Sequence, residues 1–170
     1  MLMKLKTKLK LYKLDKQSSS SHTVWPDSFM GYRLIMYEPG IFSFGKYNLN
    51  PLINLMWYTA TLGRLKILLL LDNNEVVHYS YITPKTYRFP FMQKDDLMIG
   101  PCYTAENQRG KGIYTGVLKL INSVYVSYDL WLSANLNNTA SHKAFERSGY
   151  RFYSFVEISH ITKIVRIIHS

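Results

Sequence analysis

Cysteine is almost missing from this chain. Its single cysteine, Cys102, cannot close an internal disulfide, which excludes a disulfide-stapled scaffold and fits a reducing compartment. Acidic residues are also scarce: 11 Asp and Glu stand against 21 Lys and Arg in 170 residues, a net charge of +10. Such a surface is matched to an anionic partner, whether nucleic acid, a phosphorylated cofactor or an acidic membrane. No apolar run is long enough for a spanning helix, which needs about 20 residues. The central stretch free of Asp, Glu, Lys and Arg, Tyr47–Gly63, is broken by three Asn and a Pro. The start of the chain alternates charge with leucine and lacks the apolar core of a secretory signal, so the expected location is cytoplasmic. Repeats and low-complexity tracts are absent apart from one serine run. What the chain does have is 47% apolar residues, enough to give a single domain over 1–170 with a real core.

The order of elements follows from periodicity. Residues 4–14 alternate Lys with Leu, Thr or Tyr, a period of two that predicts a strand with lysines on its wet face. An edge position, where lysines oppose aggregation, is the first expectation, and an anion-binding arm the alternative. Gln17–His22 is a Ser-rich connector. Between Val24 and Phe44, Pro26-Asp27-Ser28 can open a helix and Arg33–Tyr37 can form a strand, ended by Glu38-Pro39-Gly40. From Asn50-Pro51 onward, Leu52, Leu55, Met56 and Thr59 recur at helical spacing up to Gly63. Lys66–Leu71 is a buried strand, Asp72-Asn73-Asn74 a turn, and Glu75–Thr83 the returning strand. That strand carries Val76, His78 and Ser80 on one face and Val77, Tyr79 and Tyr81 on the other. A strand at 96–104, a helix at Ile113–Val124, a strand at Asp129–Ala134 and a helix capped by Asn137 or Asn138 come next. The last helix stops at Gly149, and two strands turned at Ser159-His160 finish the chain.

Between the 96–104 strand and its helix lies Ala105-Glu106-Asn107-Gln108-Arg109-Gly110-Lys111-Gly112. Glycines and bases where a strand gives way to a helix suit a phosphate group, because the first-turn N–H groups have no partner inside the helix. The dinucleotide fingerprint does not fit, since the third glycine falls at Gly116, one place late. A Walker loop does not fit either, since Lys111 is followed by Gly112.

Arg109-Gly110-Lys111-Gly112-Ile113 resembles the coenzyme A pyrophosphate loop of the GNAT superfamily of N-acetyltransferases, with Tyr114 where the family has a small residue. Downstream, the run from Asn138 through Ser141 and Phe145 to Gly149-Tyr150 is similar to the family's Asn-x-x-Ala/Ser helix ending in Gly-aromatic. The resemblance runs from about Lys66 to the C-terminus. It implies an α+β fold: a mixed, mostly antiparallel central sheet flanked by helices. Val77–Ser80, Ile99–Thr104 and Arg109–Tyr114 also resemble a bacterial subset associated with surface polysaccharide synthesis.

The resemblance implies acetyl-CoA as cosubstrate, no metal, and a small-molecule amine acceptor, such as an amino sugar or its nucleotide conjugate. Cofactor contacts are then expected at Tyr103, Thr104, Arg109, Gly110, Lys111, Gly112, Ile113, Asn138 and Ser141. The main chain near Tyr103 and Thr104 would hold the acetyl carbonyl, which makes Tyr103 a catalytic candidate. The tyrosine that the family uses as acid toward the leaving thiolate is replaced by Phe145. His78 is the expected base, because an ordinary imidazole accepts protons near neutrality, with Glu106 as runner-up. Cys102 reads as a packed strand residue.

Two other classes compete. A GNAT-like shell that binds coenzyme A or another anion without catalysis is favoured by Phe145 and Tyr114. A nucleic-acid binder is favoured by charge alone; no recognition helix or RNA motif supports it, and no nucleic-acid partner is expected. Tyr47–Gly63 with the basic N-terminus offers a peripheral contact with an anionic membrane, the inner one in a bacterium. The final hairpin offers a route to oligomers.

Overall fold

A computed structural model describes residues 6–17, 24–40 and 42–168. The Ser-rich connector at 18–22 and the first residues of the N-terminal strand lie outside them. Among the described residues there are nine strands: β1 (Lys6–Leu14), β2 (Ser28–Phe29), β3 (Tyr32–Tyr37), β4 (Lys66–Asp72), β5 (Glu75–Pro84), β6 (Leu97–Thr104), β7 (Leu130–Asn135), β8 (Arg151–Ser159) and β9 (Val165–Ile168). The helices are α1 (Pro51–Ala60), α2 (Ile113–Val124) and α3 (Thr139–Arg147). One sheet holds all nine strands in the order β2-β3-β4-β5-β6-β7-β1-β8-β9. Every pairing is antiparallel except β6 with β7. This is the mixed, mostly antiparallel α+β architecture expected from the sequence.

The centre of the sheet is buried on both faces, and β4 shows why. Its Ile67, Leu68, Leu69 and Leu70 all have 0% exposure, and alternate residues enter opposite cores. Each such side chain contributes about 1.5–3 kcal/mol. Leu68 and Leu70 join Ile113, Val117, Leu118 and Ile121 of α2 and Phe145 of α3. Ile67 and Leu69 join Trp57 of α1, Phe89, Met92 and Trp131. The second core carries a buried carboxylate. Asp96, 4% exposed, accepts hydrogen bonds from the Trp131 indole N–H and the Gln93 main-chain N–H, both at 2.8 Å. Asp96→Ala leaves the buried Trp131 indole N–H unpaired, and should lower unfolding free energy in urea by about 1–3 kcal/mol.

Four sequence expectations need correction. The N-terminal strand is not an edge. β1 lies between β7 and β8, antiparallel to both. Two of its lysines are held by acids distant in sequence, Lys6 by Glu157 at 3.0 Å and Lys13 by Asp129 at 2.8 Å, and Lys13 also meets its near neighbour Asp15 at 2.6 Å. The faces of β5 are also rearranged. The register shifts between Leu70 and Leu71, a bulge that sends Val77 to the α2 side with His78 and leaves Val76 with Tyr79 and Tyr81. Finally, α1 is turned inside out relative to its pattern. It buries Asn54 and Trp57 and exposes Leu52, Ile53, Leu55 and Met56. Asn54 faces inward because its amide N–H₂ donates to the Phe44 carbonyl and its oxygen accepts from the Tyr81 hydroxyl. The turn between β8 and β9 is also longer than expected, spanning residues 160–164.

Candidate active site

β6 and β7 run side by side for only two rungs, Leu97 with Leu130 and Met98 with Trp131. The pairing then stops. Immediately after it come Gly100, at φ +129°, and Pro101, which has no N–H to offer a neighbouring strand. Opposite them the register with β5 shifts between Ser80 and Ile82. The bulge turns β6 away from β7, and the two strands splay into a gap.

Alternation along β6 fixes which groups line that gap. The Ala105 N–H donates to the Val77 carbonyl at 2.9 Å, so Ala105 faces β5. Tyr103, two residues earlier and opposite Tyr79, has the same orientation. The main-chain groups of Cys102 and Thr104 therefore point toward β7 and the gap. Of the two donors expected at Tyr103 and Thr104, only Thr104 presents its N–H there, joined by Cys102. The Thr104 carbonyl is already engaged, accepting from Arg109 Nε at 3.1 Å.

The glycine loop closes the same end. After a short 3-10 turn at Glu106–Gln108, Gly110 and Gly112 adopt left-handed φ of +80° and +75°, which costs glycine little and other residues about 1–2 kcal/mol. A Cβ at either position would meet no atom within 4 Å, so the outer face of the loop is open. Gly112 caps α2 with no side-chain bond. Among the described residues, no N–H from Gly110 to Thr115 finds a protein acceptor. Gln108 braces the loop: its amide oxygen accepts from Lys111 Nζ at 2.6 Å and from the Tyr32 hydroxyl at 2.9 Å. Glu106, the runner-up base, pairs with Arg109 at 3.4 Å and is exposed. Gly116, the misplaced third glycine, has a packing role. A Cβ there would stand 2.8 Å from Met30 Sδ and 3.2 Å from the Phe29 ring.

Beneath the first turn of α2 lies a row of polar side chains. His78 has 0% exposure. Its Nδ1 is 2.8 Å from Thr104 Oγ1 and its Nε2 is 2.8 Å from Ser80 Oγ. Burial pushes its pKa down to about 3, because the charged imidazolium would lose its water. His78 is thus a neutral, doubly bonded imidazole sealed under α2, without the access to an amine that the expected base requires. Cys102 lies beside the Ser80 and Tyr114 hydroxyls, and burial raises its pKa. Tyr114 packs its ring against His78 at 5.8 Å and edge-on against Phe145 at 6.1 Å, and burial holds its hydroxyl firmly protonated.

Across the sheet from α2, the structure assembles what the sequence reading missed. Tyr79 and Tyr103 stack at 5.5 Å and, with Tyr47, Asn48, Asn74 and Glu75, border an open pocket of about 330 Å³. Tyr47 and Asn48 hold φ of +60° and +55°, the kind of strained backbone that collects at ligand sites. The one legible signal was the tyrosine content; no spacing brings Tyr47 to Tyr103. On α3, the Asn138 side chain accepts from the Ser141 N–H at 3.1 Å. The two residues expected to contact cofactor thus bond each other at the start of that helix. Among the described residues no cluster of His, Cys, Asp or Glu could hold a metal ion.

No family model and no curated protein sequence matches the chain. Solved structures do. A GCN5-related N-acetyltransferase from Sphaerobacter thermophilus superposes with a TM-score of 0.61 over 87% of this chain and 49% of its own, at 14% identity. The chain has the GNAT fold. A GNAT-family acetyltransferase from Colwellia psychrerythraea is similar over 86% of this chain and 53% of its own, with a TM-score of 0.54 and 14% identity. An aminoglycoside antibiotic 6'-N-acetyltransferase from Acinetobacter haemolyticus is similar over 81% of this chain and 96% of its own, with a TM-score of 0.53 and 10% identity. The chain spans about half the length of the first two. Within the GNAT fold, the splayed β6 and β7, the Arg109–Tyr114 loop and α2 form one continuous feature, with the tyrosine pocket on the opposite face.

Proposed function

We propose that the protein is an acetyl-CoA-dependent N-acetyltransferase acting on a small primary amine. The observation that carries this reading is the open run of unpaired N–H groups from Gly110 to Thr115 beside a gap in the sheet. A diphosphate accepts those donors, with Arg109 and Lys111 adding charge. The pantetheine arm enters between β6 and β7, where the Cys102 and Thr104 N–H groups meet the thioester carbonyl. Donors fixed before charge develops in the transition state are worth about 3–4 kcal/mol each.

The acceptor comes from the tyrosine pocket. Its neutral nitrogen attacks the thioester carbon, the C–S bond breaks, the thiolate leaves, and the nitrogen's proton passes to water in the pocket. Tyr114 compensates for the phenylalanine at Phe145: its hydroxyl donates a hydrogen bond to the departing sulfur. A strongly protonated phenol suits that donor role. Tyr150 is committed to Asn122, to which it donates at 2.6 Å, and Tyr153 lies against Trp131, on the face of the sheet away from α2. His78 fixes the Thr104 side chain and so acts as a positioning residue.

Thiol release from acetyl-CoA, measured with an amine panel led by amino sugars and their nucleotide conjugates, tests the reading. Tyr114→Phe should lower kcat about tenfold to a hundredfold, the worth of one charge-assisted hydrogen bond, with the KM for acetyl-CoA unchanged. Coenzyme A binding with no turnover across the panel would favour a second reading, a non-catalytic binding module, for which Phe145 is the supporting observation. No coenzyme A binding at all would remove both.

A further inference from the structure

Among the described residues, α1 is the helix whose apolar side chains are left outside. Leu52 is 74% exposed, Leu55 44%, Met56 43% and Ile53 40%. Phe42 before it and Leu62 after it are almost wholly exposed, and Tyr87 borders the same region at 65%. These side chains form a patch of the kind soluble monomers seldom leave uncovered. The fold gains nothing by displaying them, since the helix is held through Asn54 and Trp57 on its inner face.

Charge around the patch is of one sign. Between Pro39 and Leu65 the chain has no acidic residue, only Lys46 and Arg64; Lys66 is set apart, paired with Glu38 at 3.0 Å. Beside the C-terminal end of α1, an open groove of about 540 Å³ is lined by Leu62, Arg64, Lys85 and Tyr87 without a carboxylate. Arg88, next in line, lays its guanidinium over the Trp57 ring at 4.4 Å. An uncharged apolar helix rimmed by Lys and Arg, on a chain of net charge +10, matches the acyl–headgroup boundary of an anionic bilayer. Apolar side chains enter the boundary while the cations meet lipid phosphates. A second copy of the chain is the poorer occupant, because it would bring Lys46, Arg64 and Lys85 against their own counterparts.

We propose that the exposed face of α1 is a peripheral membrane-docking surface for anionic lipid. No helix among the described residues is long and apolar enough to cross a membrane, so the contact is one of lying on the surface. This proposal does not depend on the acetyltransferase reading.

The test is co-sedimentation of the full chain with vesicles. Phosphatidylcholine mixed with phosphatidylglycerol should bind the protein at low salt, and phosphatidylcholine alone should not. The triple variant Leu52→Gln, Leu55→Gln, Met56→Gln leaves net charge untouched and alters only exposed positions. It should keep its melting temperature and lose at least about tenfold in vesicle affinity. Absence of binding to the anionic vesicles overturns the proposal. So does equal binding by the variant, which would assign the attraction to charge elsewhere on the chain. So does a dimer in sedimentation equilibrium that the triple variant dissociates, since a second copy would then occupy the face.

Discussion

Between about pH 7 and pH 4 the protein should lose about 3 kcal/mol of folding stability through His78 alone. An unfolded histidine takes up a proton near 6.5, whereas burial holds His78 near 3 in the native state. Below 6.5 the unfolded chain therefore binds a proton that the folded chain refuses. The stability contributed by a depressed histidine pKa is fully present above about 6.5 and drains away as pH falls toward 3. Each unit is worth about 1.36 kcal/mol, and the two and a half units down to pH 4 give the quoted loss. Urea midpoints at several pH values provide the readout. His78→Gln keeps polar partners for Thr104 and Ser80 but cannot titrate. Its baseline should be lower and its slope in this window shallower, because the carboxylates titrate equally in both proteins. Identical slopes would mean that the imidazole is protonated in the folded protein, and the sealed site under α2 would have to be abandoned.

Gly112→Val should weaken binding of coenzyme A about 50-fold. Gly112 sits at φ +75°, which a β-branched residue does not tolerate. No neighbour would clash with the new side chain; the loop must instead rotate, carrying the donors of the first α2 turn off a common target. Losing one or two charge-assisted hydrogen bonds, at about 1.5–3 kcal/mol each, sets the scale. Lys111→Gln supplies the contrast: it removes charge but leaves the main chain alone, so its smaller effect should vanish at high salt. Calorimetry with coenzyme A reads both. Unchanged affinity in Gly112→Val, with the fold intact, would place the diphosphate elsewhere.

Sequence reasoning served best where one local rule governed each residue. Pro51 opens α1 and Asn138 caps α3, Asn73 and Asn74 turn the β4–β5 hairpin at positive φ, and the apolar stripe from Ile113 to Ile121 packs α2 on the sheet. It failed where a distant partner decided the outcome. An alternating Lys-Leu strand fits an edge or a centre equally well, and only Asp129 and Glu157, far along the chain, show that β1 is internal. The outward face of α1 could not be read because one inward asparagine, held by Tyr81 and Phe44, overrides the leucine pattern. The bulge at Val77 moved side chains between faces without leaving a mark in composition. At the site, the Arg109–Tyr114 loop was visible because it is contiguous. The tyrosine pocket was not, because Tyr47, Tyr79 and Tyr103 come from three separate segments. His78 drew attention as a base for its intrinsic pKa, which its surroundings then removed.

The internal place of β1 has a consequence for biosynthesis. This strand is made before both of its neighbours, one of which ends at Asn135 and the other at Ser159. At ordinary elongation rates, with roughly 145 residues still to be made, it must wait about ten to thirty seconds for its slot to exist. Throughout that interval an amphipathic ribbon of leucine and lysine hangs from the nascent chain with both hydrogen-bonding edges bare. Any chaperone or open strand edge nearby meets this segment before its own sheet does.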